Sequence, residues 1–275
     1  MINKNPLQKV ILTLAFLVVS VAVSSQSIYR LSAGARQVGL SYATVTTSGF
    51  WSSFHNQASL AEIDRLSIGL NQDNRFGIAE LSNKTFAFIL PKGNGALGAV
   101  YSYYGYSEYN RHTAGLSYGM KLGQKLSIGV QADLFSTRGA GDYANTNELT
   151  FEAGLLFIPI ERLRIGLHAF NPLPNSLRDR EMPTVVRLGT GYYFSNSFMA
   201  TVVLESDNTG VTVVRVGSEY EILSNFFVRG GFMTEPLGYS FGLGYSGNIF
   251  QGDLGFITHE NLGLSPSLSI VIFLR

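Results

Sequence analysis

The sequence predicts an all-β fold, a transmembrane antiparallel β-barrel of about fourteen strands, and three observations point to it. From about Arg65 to the end of the chain, apolar side chains alternate with small or polar ones. Leu126, Ile128, Val130, Ala132 and Leu134 share one parity while Ser127, Gly129, Gln131 and Asp133 share the other, the period of two that a strand with two unlike faces requires. The chain begins with an export-type segment, and no later apolar stretch is long enough for a membrane helix. The links between the alternating runs are short and long by turns. A soluble sandwich also alternates, but it has no reason to segregate its loops in this way.

The elements follow in chain order. Lys4 and Lys9 precede an apolar run from Val10 to Val23, broken only by Thr13 and Ser20, and Ser24, Ser25 and Gln26 follow. A basic start, an apolar run shorter than the ~20 residues of a spanning helix and a small-residue exit read as a signal peptide over residues 1–25, cleaved near Ser25. Residues 26–64 do not read as spanning strands; they contain the only Trp and precede the wall, so they are expected to fold back into the lumen as a hatch. Residues 65–275 form the barrel.

Its strands are expected at 65–71, 84–91, 95–107, 111–121, 126–138, 148–159, 162–170, 184–194, 197–206, 210–221, 225–234, 239–246, 249–258 and 263–274. Tight reversals such as Lys92-Gly93-Asn94, Gly123-Gln124, Ile160-Glu161, Ser195-Asn196, Ser224-Asn225 and Gly247-Asn248 hold residues that accept positive φ or cap a turn. Between them lie longer or more elaborate links, including residues 72–83, 139–147, 171–183 and His259-Glu260-Asn261. Tyr and Phe gather near strand ends, as in Tyr101 to Tyr109, Tyr192 to Phe194, Phe198, Phe226, Tyr239 and Phe250, the placement of interfacial girdles.

Composition narrows the function. Charged residues are 14% of the chain, against ~25% for an ordinary soluble domain. A formal net charge of +1 without a basic run argues against a nucleic-acid partner, and the absence of cysteine removes a disulfide scaffold, a cysteine lipid anchor and a thiolate metal site. His55, His112, His168 and His259 stand in no spacing that matches a nucleophile elbow, a zinc motif or a phosphate loop. No enzyme activity, catalytic residue, cofactor or metal is therefore expected.

If the apolar ribbon faces lipid, the other parity lines the lumen. It carries Asp133, Glu152, Arg162, Arg164, Arg187, Glu205, Arg215, Glu219, Arg229 and Asp253. The two signs are nearly balanced, so these residues are expected to pair as a charge network tying wall to plug, since an unpaired buried charge is costly. A selectivity lining for a polar solute is the other use such residues could have.

Two motifs lie in the segment before the barrel. Gly34-Ala35-Arg36 is followed about twenty residues later by Asn56-Gln57-Ala58-Ser59-Leu60-Ala61. This resembles the N-terminal hatch of the FadL-like transporters and their PorV/PorQ relatives, which usually carry Gly-Ala-Arg and then Asn-Pro-Ala-Gly-Leu-Ala; the proline and glycine are replaced in this chain. Asn171-Pro172-Leu173 with Arg187-Leu188-Gly189, Val214-Arg215-Val216-Gly217-Ser218-Glu219-Tyr220 and Arg229-Gly230-Gly231-Phe232 are similar to later strands of PorV-type barrels. The resemblance implies a fourteen-stranded barrel of the cell outer membrane with an inward hatch, surrounded by outer-membrane lipid. It implies either a PorV-like accessory barrel binding a type IX secretion partner or cargo at its outer face, or a FadL-like channel for small hydrophobic compounds. In the channel, Phe50, Trp51, Phe54 and Asn56 of the hatch would bind the hydrophobic small molecule.

Overall fold

The computed structural model describes residues 33–139, 145–173, 182–208 and 210–274. The signal peptide expected at 1–25 lies outside them. Fourteen strands follow one another in the chain: β1 Ser67–Asn74, β2 Ser82–Lys92, β3 Gly95–Gly105, β4 Tyr109–Lys121, β5 Leu126–Gly139, β6 Thr146–Ile160 and β7 Leu163–Phe170. Then come β8 Val185–Tyr193, β9 Phe198–Asp207, β10 Thr212–Leu223, β11 Phe226–Thr234, β12 Leu237–Ser246, β13 Phe250–His259 and β14 Gly263–Phe273. Each coincides with an expected strand, its ends displaced by about three residues at most.

Every strand pairs antiparallel with its neighbours in sequence, and β14 returns to β1 with Ser67 opposite Phe273 and Asp73 opposite Ser267. Closure removes the two edges that an open sheet would present. It also satisfies every ladder group within the wall, the condition for a sheet to sit in hydrocarbon. Two register shifts interrupt the ladders, at Phe157/Ile160 between β6 and β7 and at Glu221/Leu223 between β10 and β11. Both lie beside short turns.

The turns divide between the two ends of the barrel. At one end the strands reverse tightly, with left-handed Gly93 (φ 65) and Asn225 (φ 72) at the bends after β2 and β10. At the other end the β1–β2 link contains two single-turn 3-10 helices, Arg75–Gly77 and Ala79–Leu81, and the β7–β8 link is the longest. Glu235 and Pro236 alone join β11 to β12 there, and the β3–β4 and β13–β14 links have three residues each, so the longer links of that end are those after β1, β5 and β7.

Burial follows parity along each strand. In β5, Ser127, Gly129, Gln131, Asp133 and Phe135 are buried while Val130 and Leu134 are exposed. The outward ribbon leaves Leu70, Leu116, Leu149, Leu188 and Leu243 half or more exposed around the whole circumference. A contiguous apolar belt of this extent suits lipid and not water. Among the described residues no helix is long and apolar enough to cross a membrane.

Aromatic rings rim the belt. At the short-turn end Tyr192, Phe194, Phe198 and Tyr220 form a chain with centroid separations of 4.9, 5.4 and 6.3 Å. Phe226, Tyr245 and Phe250 form a second, at 5.0 and 5.2 Å. Phe232 and Tyr239 pair near the opposite end at 5.5 Å.

A charge placed in the middle of the belt tests which face meets lipid. Leu116, 71% exposed in β4, changed to Arg, is expected to lower stability in phospholipid vesicles by about 2–4 kcal/mol, the cost of a cation at the bilayer midplane. A loss of unfolding free energy under ~0.5 kcal/mol in urea titration, as at an ordinary water-exposed site, would refute a lipid-facing ribbon.

Candidate functional site

Residues 33–64 are the part of the described chain that the wall does not need for closure. The segment enters with Gly34 at φ 106 and forms a short helix, α1, Ala35–Gly39. Ser41 (φ 50) and Tyr42 (φ 59) then turn the backbone through the left-handed region. After Val45 the chain reaches two 3-10 segments, Phe50–Phe54 and Gln57–Glu62.

Two buried side chains hold the halves of the segment together. His55 Nδ1 lies 2.9 Å from Thr44 Oγ1 and its Nε2 3.0 Å from the Ala33 carbonyl. Asn56 caps the second 3-10 segment by accepting from Ala58 N at 3.1 Å. Its Nδ2 donates to the Val45 carbonyl at 2.8 Å and to the Leu155 carbonyl of β6 at 3.1 Å. Both N–H donors of this buried amide and one lone pair of its oxygen are used, so Asn56 fastens the two halves of the segment to each other and to the wall.

The wall receives the segment at glycines. A Cβ on Gly39 would stand 3.0 Å from the Gly242 Cα, so α1 meets β12 backbone to backbone. Gly217 of β10 lies under Leu40, with 2.9 Å between its ideal Cβ and the Leu40 carbonyl oxygen. Gly129 of β5 and Gly154 of β6 lie under Asn56 and Gln57, where any Cβ would overlap them. Each of these wall positions has the inward parity, and each puts the smallest residue where another backbone passes. In the sequence these glycines stand out only by recurring on the inward parity of several strands.

Ion pairs and hydrogen bonds reach from the segment to one sector of the wall. Arg36 grips Glu219 of β10 in a fork, Nε to Oε2 at 2.7 Å and the second terminal nitrogen to Oε1 at 2.8 Å. Burial works against the Arg36 charge, but pairing with Glu219 more than offsets it and holds the guanidinium pKa above the ordinary arginine value. Glu219 also accepts from Arg229 Nε at 2.6 Å, and Arg229 passes on to Asp253 at 2.8 Å. Arg164 of β7 binds both oxygens of Glu62, at 2.7 and 2.9 Å. Glu205 bridges Arg187 at 2.5 Å and Arg215 at 2.9 Å, and Arg215 donates to the Ser41 carbonyl at 3.3 Å. Glu152 accepts from Gln57 of the segment and lies 2.9 Å from His168 Nε2.

Asp133 is buried in the same sector, accepting from Gln131 at 2.8 Å. Arg162 requires a correction. It is exposed in the turn between β6 and β7, because β7 begins one residue after it and a cation at a strand end keeps its hydration by staying at the rim. Parity alone had placed it with Arg164. Arg36 and Gln57, which the sequence marks only as motif residues, and Glu62, which it does not mark, join the network from the segment.

The opposite side of the segment is apolar apart from Ala35 N, which donates to Ser269 Oγ of β14 at 3.2 Å. Phe50, Trp51 and Phe54 are buried and cluster with Ala87 and Ile89 of β2, Ala96 and Val100 of β3, and Val271 of β14. Phe50 meets Trp51 edge to face at 4.9 Å, and the Phe50 ring occupies the space over Gly69 of β1. Among the described residues the buried Trp51 indole N–H has no hydrogen-bond partner, and the ring is held there by packing.

No family model matches this sequence, and no curated protein matches it. Solved structures do. A FadL homologue from Pseudomonas aeruginosa aligns at TM-score 0.62 and 12% identity, over 90% of this chain and 99% of that one. The P. putida toluene transporter TodX aligns at TM-score 0.66 and 11% identity, over 86% of this chain and 98% of that one. The Ralstonia pickettii toluene transporter TbuX aligns at TM-score 0.62 and 13% identity, over 86% and 96%. At such identities the likeness is one of fold: a closed fourteen-stranded barrel of the FadL type. These neighbours match the FadL part of the resemblance seen in the sequence and lend no support to its PorV/PorQ part.

Proposed function

We propose that this chain is an outer-membrane channel for small hydrophobic compounds, with residues 33–64 acting as its hatch. The observation that carries the reading is the two-sidedness of that segment. Ion pairs fasten it to β7 and β10, whereas toward β14, β1, β2 and β3 it presents Phe50, Trp51 and Phe54 to Ile89, Val100 and Val271 without an ion pair among the described residues. Apolar contacts are non-directional and tolerate repacking around an apolar guest. A fastened hinge side and a greasy free side are the parts a gate for hydrophobic solutes needs, and the described transporters of toluene share the fold.

Each neighbouring pair of strands is hydrogen-bonded among the described residues, and the two register shifts lie beside short turns. Passage therefore runs between segment and wall on the β14–β3 side when the segment tilts about its fastened side. The polar lining beyond, with Asn71, Thr85, Ser102 and Ser267, gives a hydrophobic solute no stable resting place outside the aromatic cluster, which favours its onward movement.

The test is uptake of labelled toluene by vesicles or cells containing the protein, with a sugar of similar size as control. Phe50→Ala with Trp51→Ala is expected to reduce toluene entry severalfold and to leave sugar entry unaffected. Equal toluene entry with and without the protein would refute the channel. The accessory reading, a barrel that binds a type IX secretion partner or cargo at its outer face, rests on the sequence resemblance alone. It would gain from a stable complex recovered in mild detergent together with no solute entry.

A further inference from the structure

We propose that the outward face of β2–β5, at the end with the longer links, is a binding site for the phosphate of a membrane lipid headgroup, formed by Lys84, His112 and Arg138. The proposal rests on the barrel lying in a membrane. Register places the three together: Lys84 is opposite Tyr103, Tyr103 opposite His112 and His112 opposite Ser136. Arg138 follows two residues beyond Ser136 on the same face, opposite Asn110. Neighbouring side chains fix that face as the outer one, because Thr85 bonds Ser102 and Arg111 bonds Thr137 on the inside.

With strands ~4.8 Å apart, Lys84 and His112 lie about 10 Å apart, and Arg138 sits on the diagonal from His112 at roughly 7–8 Å. Their long stems can converge on one phosphate, and the arginine fork matches its oxygens. Tyr101 Oη lies 2.6 Å from His112 Nδ1. With the hydroxyl donating, the imidazole carries its proton on Nε2, which becomes an outward donor for the same anion.

Position and asymmetry argue for a lipid. One row further into the belt stand Phe86, Tyr101, Ala114 and Leu134, so the cations begin where the apolar surface ends, at headgroup depth. At this level the outward positions of the other strands are uncharged, as at Val186, Ser206, Thr212, Thr234 and Leu264. Among the described residues of the strands' outward faces, the cationic and imidazole side chains at this end are confined to β2, β4 and β5. No acid shares that face; Glu80 and Glu108, the nearest in the chain, lie in the links above it. A belt serving general attraction to anionic lipid would run around the barrel, whereas a cluster on three strands within β2–β5 serves one headgroup.

Native mass spectrometry of the full chain in detergent, offered bis-phosphorylated lipid A or its dephosphorylated form, tests this. The wild type is expected to retain the phosphorylated lipid about tenfold to thirtyfold better, as two cations near a lipid surface allow. K84Q/H112Q/R138Q should lose that preference and K92Q, at the opposite end, should keep it. Equal retention of the two lipids, an unchanged triple variant, or complete displacement of the lipid by inorganic phosphate would overturn the assignment. Carbonate extraction of the wild type from vesicles separates the failures: an extractable protein defeats the membrane reading itself, whereas an inserted protein without lipid preference defeats only the site.

Discussion

Glu219→Ala is expected to unfasten residues 33–64 while leaving the barrel closed. The carboxylate is the shared partner of Arg36 and Arg229, and its removal leaves the buried Arg36 charge with the Ser48 carbonyl but no carboxylate and Arg229 with Asp253 as its remaining acid. Breaking a buried pair by deleting one partner costs about 3–5 kcal/mol, because the remaining charge stays desolvated. The fourteen ladders do not depend on this carboxylate, so the loss falls on the packing of the segment. Hydrogen exchange at residues 35–62 should accelerate by two orders of magnitude or more, since ~1.4 kcal/mol is a factor of ten, and leak of small polar solutes should rise. The double variant Arg36→Met/Glu219→Met should recover much of the protection, as replacing both members of a buried pair by apolar groups often does. Exchange in Glu219→Ala equal to wild type would mean that the pair does not fasten the segment.

Why half of that pair was legible in the sequence and half was not follows from what alternation encodes. A period of two reports which face a residue occupies, so Glu219, Arg229, Asp253, Arg187, Glu205 and Arg215 could be assigned to the inside from parity, and the strands themselves came out with nearly correct ends. It does not report height along the barrel or the partner across the lumen. Arg36 meets Glu219 across 183 residues and Glu62 meets Arg164 across 102, distances over which no local pattern carries information. Arg162 fails for a related reason: it shares parity with Arg164, but at a tight turn the side chain can stay in water and parity ceases to bind it. Phe50, Trp51 and Phe54 were visible as an aromatic group, yet nothing in their spacing said that they would face β1–β3 and not the charged sector. The motif around Asn56 singles the residue out but says nothing of its partners, two carbonyls and an amide contributed by Val45, Leu155 and Ala58.

Gly154→Leu should separate the wall from the segment more sharply still. In a strand, exchanging glycine for a larger apolar residue removes a weakness of the ladder, so the wall itself has no cause to suffer. At Gly154, however, the new Cβ would overlap the Asn56 carboxamide oxygen and lie 3.2 Å from the Gln57 backbone nitrogen. Overpacking costs about 1–3 kcal/mol, and displacing Asn56 adds about 1–3 kcal/mol for each buried group left without its partner; the cap on Ala58 N and the bonds to Val45 and Leu155 are all exposed to that loss. Gly252→Leu in β13 is the matched control, since the nearest atom to its Cβ is in the Phe250 ring at 4.0 Å and the side chain would join the outward ribbon. Gly154→Leu is thus expected to insert as a closed, heat-modifiable barrel whose residues 33–62 have become sensitive to protease, and Gly252→Leu to match wild type in both respects. If Gly154→Leu abolished barrel assembly instead, the segment would have to be a folding template for the wall. If it left the segment fully protected, the backbone approach at β6 would not be what seats it, and the glycines on the inward parity would need another explanation.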